Sequence, residues 1–475
     1  MNFTEATAAV AKLEADLATA ETNYNEALDT VWMLLASMLV FFMHAGFSLL
    51  EAGSVRFKNT QNILAKNLIV VTAGFLCWYS FGYPFAFGTV EKKPSKFMGG
   101  TNFFMDQFWK SKDKFRFWFF QGAFCATGAT IVSGAMAERT QLKGFTTYTF
   151  LMCTIIYPVV VFWGWSGGGF LNYAEKGTGN SISAVGPPVI DFAGSGLVHL
   201  VGGVGALCGA VLVGPRKGRW EPKTAAEFDG HSVPFCVLGT FFLWFGWYGF
   251  NPGSTGAMHT KDNAYQAGLV AANTTISPCV AGLLVFLLRA KVVPPKLLDV
   301  GGFCNGILGG LVSITAGCSS VKPWEAAIIG AIGGAIYQGS SMALKAFKVD
   351  DVVDAFPVHG ACGLWGLLAL GFFGDPDHGV GGNGTLYGGN QLGTQLFAGA
   401  MIMLYVGVVS VAILFPLRKA GMLRMGDEYQ EKGADVMEHS PSKAYGQTKA
   451  GGEDEGGYAD PGPAPAGGVE SGADV

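Results

Sequence analysis

Two histidines stand where histidine is costly. His199 lies inside the apolar, glycine-rich run from Asp191 to Arg216, and His359 lies just inside a second apolar run, Phe356 to Phe373. At membrane depth an ionisable side chain is tolerated only against other protein or a water-filled cavity, so it marks a functional site by default. Each histidine follows a valine and precedes small residues at helical spacing, Gly203 and Ala206 after the first, Gly363 and Gly366 after the second. Acids stand upstream of both: Asp191 in one case, Asp350, Asp351 and Asp354 in the other. This is a weak internal repeat, and transporters with inverted repeats place the substrate site at the repeat interface near the midplane.

Other groups could join such a site, and each has a plainer reading beside it. Trp165, followed by Ser166-Gly167-Gly168-Gly169, ends an apolar stretch where an interfacial aromatic belt is also expected. Phe120 and Phe124 lie four residues apart, hence on one helix face, and Phe250-Asn251-Pro252-Gly253-Ser254 ends another stretch on the same side as Trp165 and adds a hydroxyl. Phenylalanines in helices mostly pack. Asp191 can cap the helix that follows it, and His44 reads as a core histidine. Glu138 with Arg139, and Glu51 near Arg56, read as ion pairs that fix helix ends. The nine cysteines all fall in apolar segments without a C-x-x-C pair, and read as buried small hydrophobes. No further metal ligands cluster near His199 or His359, which disfavours a histidine metalloenzyme.

The elements that must position these groups are membrane helices. Half of the residues are apolar and 14% are charged, against about 25% charged in soluble domains. Seventy glycines suit close helix contacts. A net charge of −4 argues for no nucleic-acid partner. Apolar stretches of membrane length fall at about Val31–Leu50, Leu64–Gly88, Arg116–Ala137, Phe145–Trp165, Gly194–Gly214, Val233–Phe250, Ala264–Leu288, Gly301–Ala316, Trp324–Leu344, Pro357–Phe373 and Gly393–Leu417. The expected fold is therefore all-α and polytopic, with about eleven spans and the termini on opposite sides. Arg56, Lys58, Arg139, Lys143, Arg216, Lys217, Arg289, Lys291 and Lys345 share the side of the C-terminus, which is then cytoplasmic. Lys92, Lys93, Lys96, Lys110, Lys112 and Lys114 fall on the other side, against that rule. Residues 1–30 are polar, with Val10, Leu13, Leu17, Tyr24 and Leu28 spaced as on one helix face; they read as an extracellular amphipathic helix or a partly disordered segment. Residues 31–418 form the membrane domain and 419–475 a cytoplasmic tail, whose Gly/Pro/acid-rich end from Gly451 cannot bury a core. Asn2 and Asn383, in N-x-T patterns on the outer side, are candidate glycosylation sites.

Read together, these motifs resemble the ammonium transporter family (Amt/Mep/Rh), in its Amt branch of plant and algal type. The stretch from Asp191 to Arg216 carries the family signature. Further matches are Glu51-Ala-Gly-Ser-Val-Arg56-Phe-Lys58-Asn59-Thr60, Phe81-Gly-Tyr-Pro-Phe-Ala-Phe-Gly88, Ala137-Glu-Arg-Thr-Gln141, Trp247-Tyr-Gly-Phe-Asn-Pro-Gly-Ser254 and Asp350-Asp-Val-Val-Asp-Ala-Phe-Pro-Val-His-Gly360. They extend over about residues 31–445, in family order. The resemblance implies a homotrimer with a pore through each protomer, each built of two inverted five-helix halves plus one extra helix, in the plasma membrane. It implies an outer ammonium site at Trp165, Ser254 and Phe120 supported by Asp191, with Trp163 two residues earlier as the alternative tryptophan. Below it come a gate at Phe124 and Phe250, then paired pore histidines at His199 and His359, without a metal or other cofactor. Burial opposes charged imidazole, so the pair is expected to be mostly neutral. The implied cargo is ammonium or ammonia, with methylammonium as mimic; an Rh-like gas channel and an ammonium sensor that transports little are the alternatives. The tail resembles the family's regulatory segment and so implies a cytoplasmic regulator, but Met437 stands where the plant pattern has a switchable threonine, leaving Ser440, Ser442 and Thr448 as candidate targets.

Overall fold

The computed structural model describes residues 3–89, 97–111, 113–172, 187–378 and 383–445. Asn2, Lys92, Lys93, Lys96, Lys112, Thr448 and the stretch from Gly451 lie outside the described residues. Among the described residues the chain is all-helical, without a strand; one isolated bridge joins Thr140 to Arg424. Nine helices there are long and apolar enough to cross a membrane. We label the principal helices α1 (Phe3–Ser54), α2 (Phe57–Phe87), α3 (Lys114–Ala135), α4 (Leu142–Trp165), α5 (Ser195–Val213), α6 (Val233–Phe250), α7 (Lys261–Lys291), α8 (Val300–Thr315), α9 (Pro323–Ala346), α10 (Phe356–Phe373) and α11 (Gln391–Lys419). Two short helices, α12 (Asp427–Lys432) and α13 (Ala434–Glu438), follow.

Residues 3–30 are helical and continuous with the first apolar stretch, giving a single 52-residue α1. The cause is local: the chain has no glycine or proline between Phe3 and His44, and is rich in alanine, the best helix former. Below Thr30, α1 packs along α6.

The two histidine helices pack antiparallel, the first turn of each lying against the body of the other. Their approach is close because the crossing is made of glycine. A Cβ built on Gly203 would sit 2.1 Å from the backbone nitrogen of Gly360, and one on Gly363 would sit 2.6 Å from the Ser195 carbonyl. Small residues permit such backbone contact between membrane helices.

At the face where the tail docks, the expected ion pairs are redistributed. Glu138 pairs with Arg56 and with Arg216 at 2.6 Å, not with Arg139, and Arg216 also holds Asp350 at 2.9 Å. Arg139 instead donates to the backbone carbonyls of Ala135, Ala137, Gly214 and Asp350. Glu51 accepts from Ser133 and Asn67 rather than meeting Arg56. Glu138 and Arg139 lie in the turn that follows α3, where Glu138 has a left-handed φ of +67°, and each side chain is taken up by other partners. Among the cysteines, Cys279 is exposed and Cys208 and Cys236 are half-buried, while the other six are buried. The exposed thiol departs from the expected burial and lies on the surface of α7.

Candidate functional site

Both histidines sit in a wide first turn. In α5 the backbone N–H of His199 reaches the carbonyl of Gly194, five residues back, at 3.1 Å, and Ser195–Leu200 form a π-type turn. In α10 Phe356–Ala361 do the same around His359. Such turns place side chains at angles a regular helix does not offer and recur at functional sites. An acid caps each turn. The Asp191 carboxylate accepts from the N–H groups of Gly194, Gly196 and Leu197 at 3.2, 2.9 and 2.7 Å. Asp351 accepts from Ala355 and Phe356 at 2.9 and 2.8 Å. Gly194 makes the first turn possible: its φ is +106°, a left-handed value, and a Cβ there would lie 2.5 Å from Val198 and 3.0 Å from the Trp165 ring.

The result is that two residues 160 positions apart meet. His199 Nδ1 and His359 Nδ1 are 3.2 Å apart, with the rings nearly parallel. One nitrogen donates and the other accepts, so the outer nitrogens of a neutral pair differ, one N–H and one lone pair. His199 Nε2 is buried and has no hydrogen-bond partner among the described residues. Trp247 stacks on His199 at 5.1 Å and is itself held by Nε1 donating to Thr315 Oγ1 at 3.0 Å.

Above the pair stands a closed aromatic stack. Phe250 lies 5.3 Å from the His199 ring and stacks on Phe124 at 3.9 Å, with 17° between the planes. Phe120 follows at 4.6 Å from Phe124. Over the stack opens a cavity of about 310 Å³ whose wall includes Phe120, Phe124, Trp165, Gln121, Arg116 and Ser254. Ser254 Oγ donates to the Phe250 carbonyl at 2.8 Å, which leaves its lone pairs for the cavity. On the far side of the pair, a much smaller space of about 10 Å³ is walled by His359, Phe47 and Glu51 among others, about enough for one water.

The structure thus brings together seven of the eight residues singled out by sequence: Trp165, Ser254 and Phe120 on the cavity, Phe124 and Phe250 beneath it, and His199 with His359 below. Asp191 is not on the cavity wall. Its carboxylate is taken up by the turn of α5, and its backbone carbonyl accepts from Nε1 of Trp165, a residue of the cavity wall, at 2.8 Å. Trp163 is placed elsewhere: it is buried, donates to the Phe97 carbonyl at 2.9 Å and packs on Phe170 and Tyr405. Sequence reasoning missed Trp247, Gln121 and Arg116. For Trp247 the signal was present, since it precedes Phe250 by three residues and so shares its helix face.

A model of the Ammonium Transporter Family matches residues 31–445. The chain belongs to the ammonium transporter family. It is 34% identical over 440 residues to ammonium transporter 1 member 3 of Solanum lycopersicum, covering 88% of this chain and 93% of that one. Its identity to ammonium transporter Amt2 of Archaeoglobus fulgidus is 37% over 444 residues, covering 91% and 92%. Among solved structures, the Sensor Amt Protein superposes with a TM-score of 0.77 at 31% identity, over 88% of this chain and 99% of that one. Mep2 of Candida albicans superposes with a TM-score of 0.75 at 27% identity, over 88% and 93%. The Asp191 to Arg216 stretch and the His359 turn both fall within the span matched by the family model.

Proposed function

We propose that this member of the ammonium transporter family moves ammonium nitrogen through the column formed by the cavity, the phenylalanine stack and the histidine pair. The observation that carries the reading is the order of these parts. An aromatic cavity with a free hydroxyl acceptor is separated by two stacked rings from a buried imidazole pair with one unpartnered nitrogen. Ammonium has four donors and no acceptor. The faces of Trp165 and Phe120 attract it by cation–π interaction, worth about 0.5–2 kcal/mol, and Ser254 accepts one of its hydrogen bonds. Carrying the bare cation past Phe124 and Phe250 costs far more than these contacts return, so a proton is left before or at the gate and ammonia passes. Beyond it, the N–H and lone pair of the histidine pair match a small molecule that both donates and accepts. Trp165 and Ser254 on one cavity wall favour this reading over an Rh-like gas channel, which has no use for a cation site.

In this reading all eleven helices α1–α11 cross the plasma membrane as two inverted five-helix halves plus one extra helix, three protomers assemble, the cavity faces outward, and residues 419–475 form a cytoplasmic regulatory tail. Contacts within the chain support a tail with a defined seat: Asp435 accepts from the N–H groups of Gln61 and Asn62 at 2.9 and 3.0 Å, and Lys217 pairs with Glu431 at 2.6 Å.

The test is current and isotopic methylammonium uptake in cells expressing the wild type, Trp165→Ala and His199→Ala. Saturable uptake with current supports an electrogenic pathway, in which the pair also relays the proton; uptake without current supports net ammonia passage. Trp165→Ala is expected to raise the half-saturating concentration about two- to thirtyfold, the equivalent of the lost cation–π attraction. No uptake from a correctly localised protein overturns transport. The similarity to the Sensor Amt Protein then favours the second reading, a sensor, identified by an ammonium-dependent signal that persists in His199→Ala.

A further inference from the structure

A membrane span needs about 20 residues, yet α1 has 52. No glycine or proline precedes Gly46 in it that could bend its first half back onto the lipid surface. Residues 7–24 are exposed throughout, so α1 stands off the bundle, residues 3–30 reaching roughly 40 Å at about 1.5 Å each. Its base is fixed. Asp29 accepts from the backbone N–H groups of Met258 and His259 at 2.7 and 3.1 Å and from the His259 ring at 2.7 Å, and Arg116 donates to Thr30 and to the Glu26 carbonyl.

The apolar residues of this projection recur every 3.5 positions. With Phe3 as position a of a heptad, the a positions are Phe3, Val10, Leu17, Tyr24 and Val31, and the d positions Ala6, Leu13, Ala20 and Ala27. Every charged residue of the projection falls outside this seam. Leu13, Leu17 and Tyr24 are 69, 67 and 68% exposed. A strict seven-residue seam is the pattern buried by a partner helix of the same repeat.

We propose that the occupant of this seam is the same segment of further copies of this chain, forming a parallel, in-register coiled-coil stalk outside the membrane. The inference rests on α1 being a membrane span and not on the transported substrate. Membrane insertion gives every copy the same orientation and the same height, so the seam of one copy faces identical positions of the next. The exposed stripe also continues without interruption into Val31, Leu35 and Met38 of the span, so contact between copies can run on from stalk to bilayer. Anchoring in one membrane raises the effective concentration of the segments, which lets a short seam with small residues at d suffice. One pair opposes assembly: Asp16 at g meets Glu21 at e of the neighbouring copy, and like charges there weaken a coiled coil.

The test uses the full-length chain in membranes with one added cysteine, Ala20→Cys in the seam or Thr22→Cys on the opposite face. The wild type serves as control for the exposed native Cys279. Mild oxidation is expected to link Ala20→Cys into a species of twice the chain mass about tenfold faster than Thr22→Cys. Adding Asp16→Lys, which converts the opposing pair into an attraction, should speed the Ala20→Cys link further, and adding Leu13→Asp and Leu17→Asp should slow it to the Thr22→Cys rate. Unchanged elution of each variant on gel filtration reports that the bundle remains folded. Equal rates at the two positions, no link at either, or a linked species of any other mass overturns the proposal.

Discussion

The hydroxyl of Ser254 already donates to the Phe250 carbonyl, so what it offers the cavity is an acceptor alone, as a cation with only donors requires. Replacing it by alanine leaves the turn and the cavity shape intact. Ser254→Ala is expected to raise the half-saturating methylammonium concentration about tenfold, the usual worth of a hydrogen bond to a charged group, whereas Ser254→Thr keeps near-normal uptake; concentration-dependent uptake of the two variants checks this. Trp165 and Trp163 show where residue-level reading stops. Both are tryptophans at the end of one apolar stretch, and only their partners separate them: Asp191 and the cavity for one, Phe97, Phe170 and Tyr405 for the other. Trp163→Phe, which loses only the bond to Phe97, is therefore expected to leave half-saturation unchanged while Trp165→Phe raises it.

At the scale of elements, the meeting of His199 with His359 depends on two helices touching backbone to backbone. Gly203 and Gly360 make that contact. Gly203→Val would push α5 from α10, with overpacking that costs about 1–3 kcal/mol, and would separate the imidazoles. Uptake should fall by an order of magnitude or more while the protein still reaches the membrane, and Gly202→Ala serves poorly as a control because its neighbour is the Ile131 side chain. The spacing of small residues after each histidine was legible in the sequence. The wide turns were not, because hydropathy periodicity does not distinguish a five-residue from a four-residue hydrogen-bond step.

For the whole molecule, the charge cluster beneath the bundle joins the loops after α1, α3 and α5 to the loop before α10. Glu138 and Asp350 are buried, which by itself would raise their pKa values. The Arg216 and Arg56 guanidiniums beside Glu138, and those of Arg139 and Arg216 beside Asp350, nevertheless hold both below their ordinary values of 4.5 and 3.8. Carboxylates depressed on folding stabilise the fold above their unfolded pKa and lose that contribution as pH falls through the folded value. Thermal stability in detergent should therefore be level between about pH 7 and 5 as far as these two groups contribute, and fall below about pH 4. Arg216→Gln leaves two buried acids with fewer partners and is expected to cost about 3–5 kcal/mol, read as a lowered unfolding temperature at pH 7.

Membrane-length apolar runs, histidines inside two of them, aromatics and a hydroxyl at the ends of others, and the family motifs were all legible in the sequence. These are properties of composition and local spacing, which the chain carries before it folds. Tertiary structure alone decided which groups meet. Nothing local relates His199 to His359, chooses Trp165 over Trp163, or pairs Glu138 with Arg56 and Arg216 instead of its neighbour Arg139. Those outcomes depend on how close two glycine-lined helices can come and on which backbone groups remain to be satisfied once they have done so, and both are settled by packing across the whole bundle.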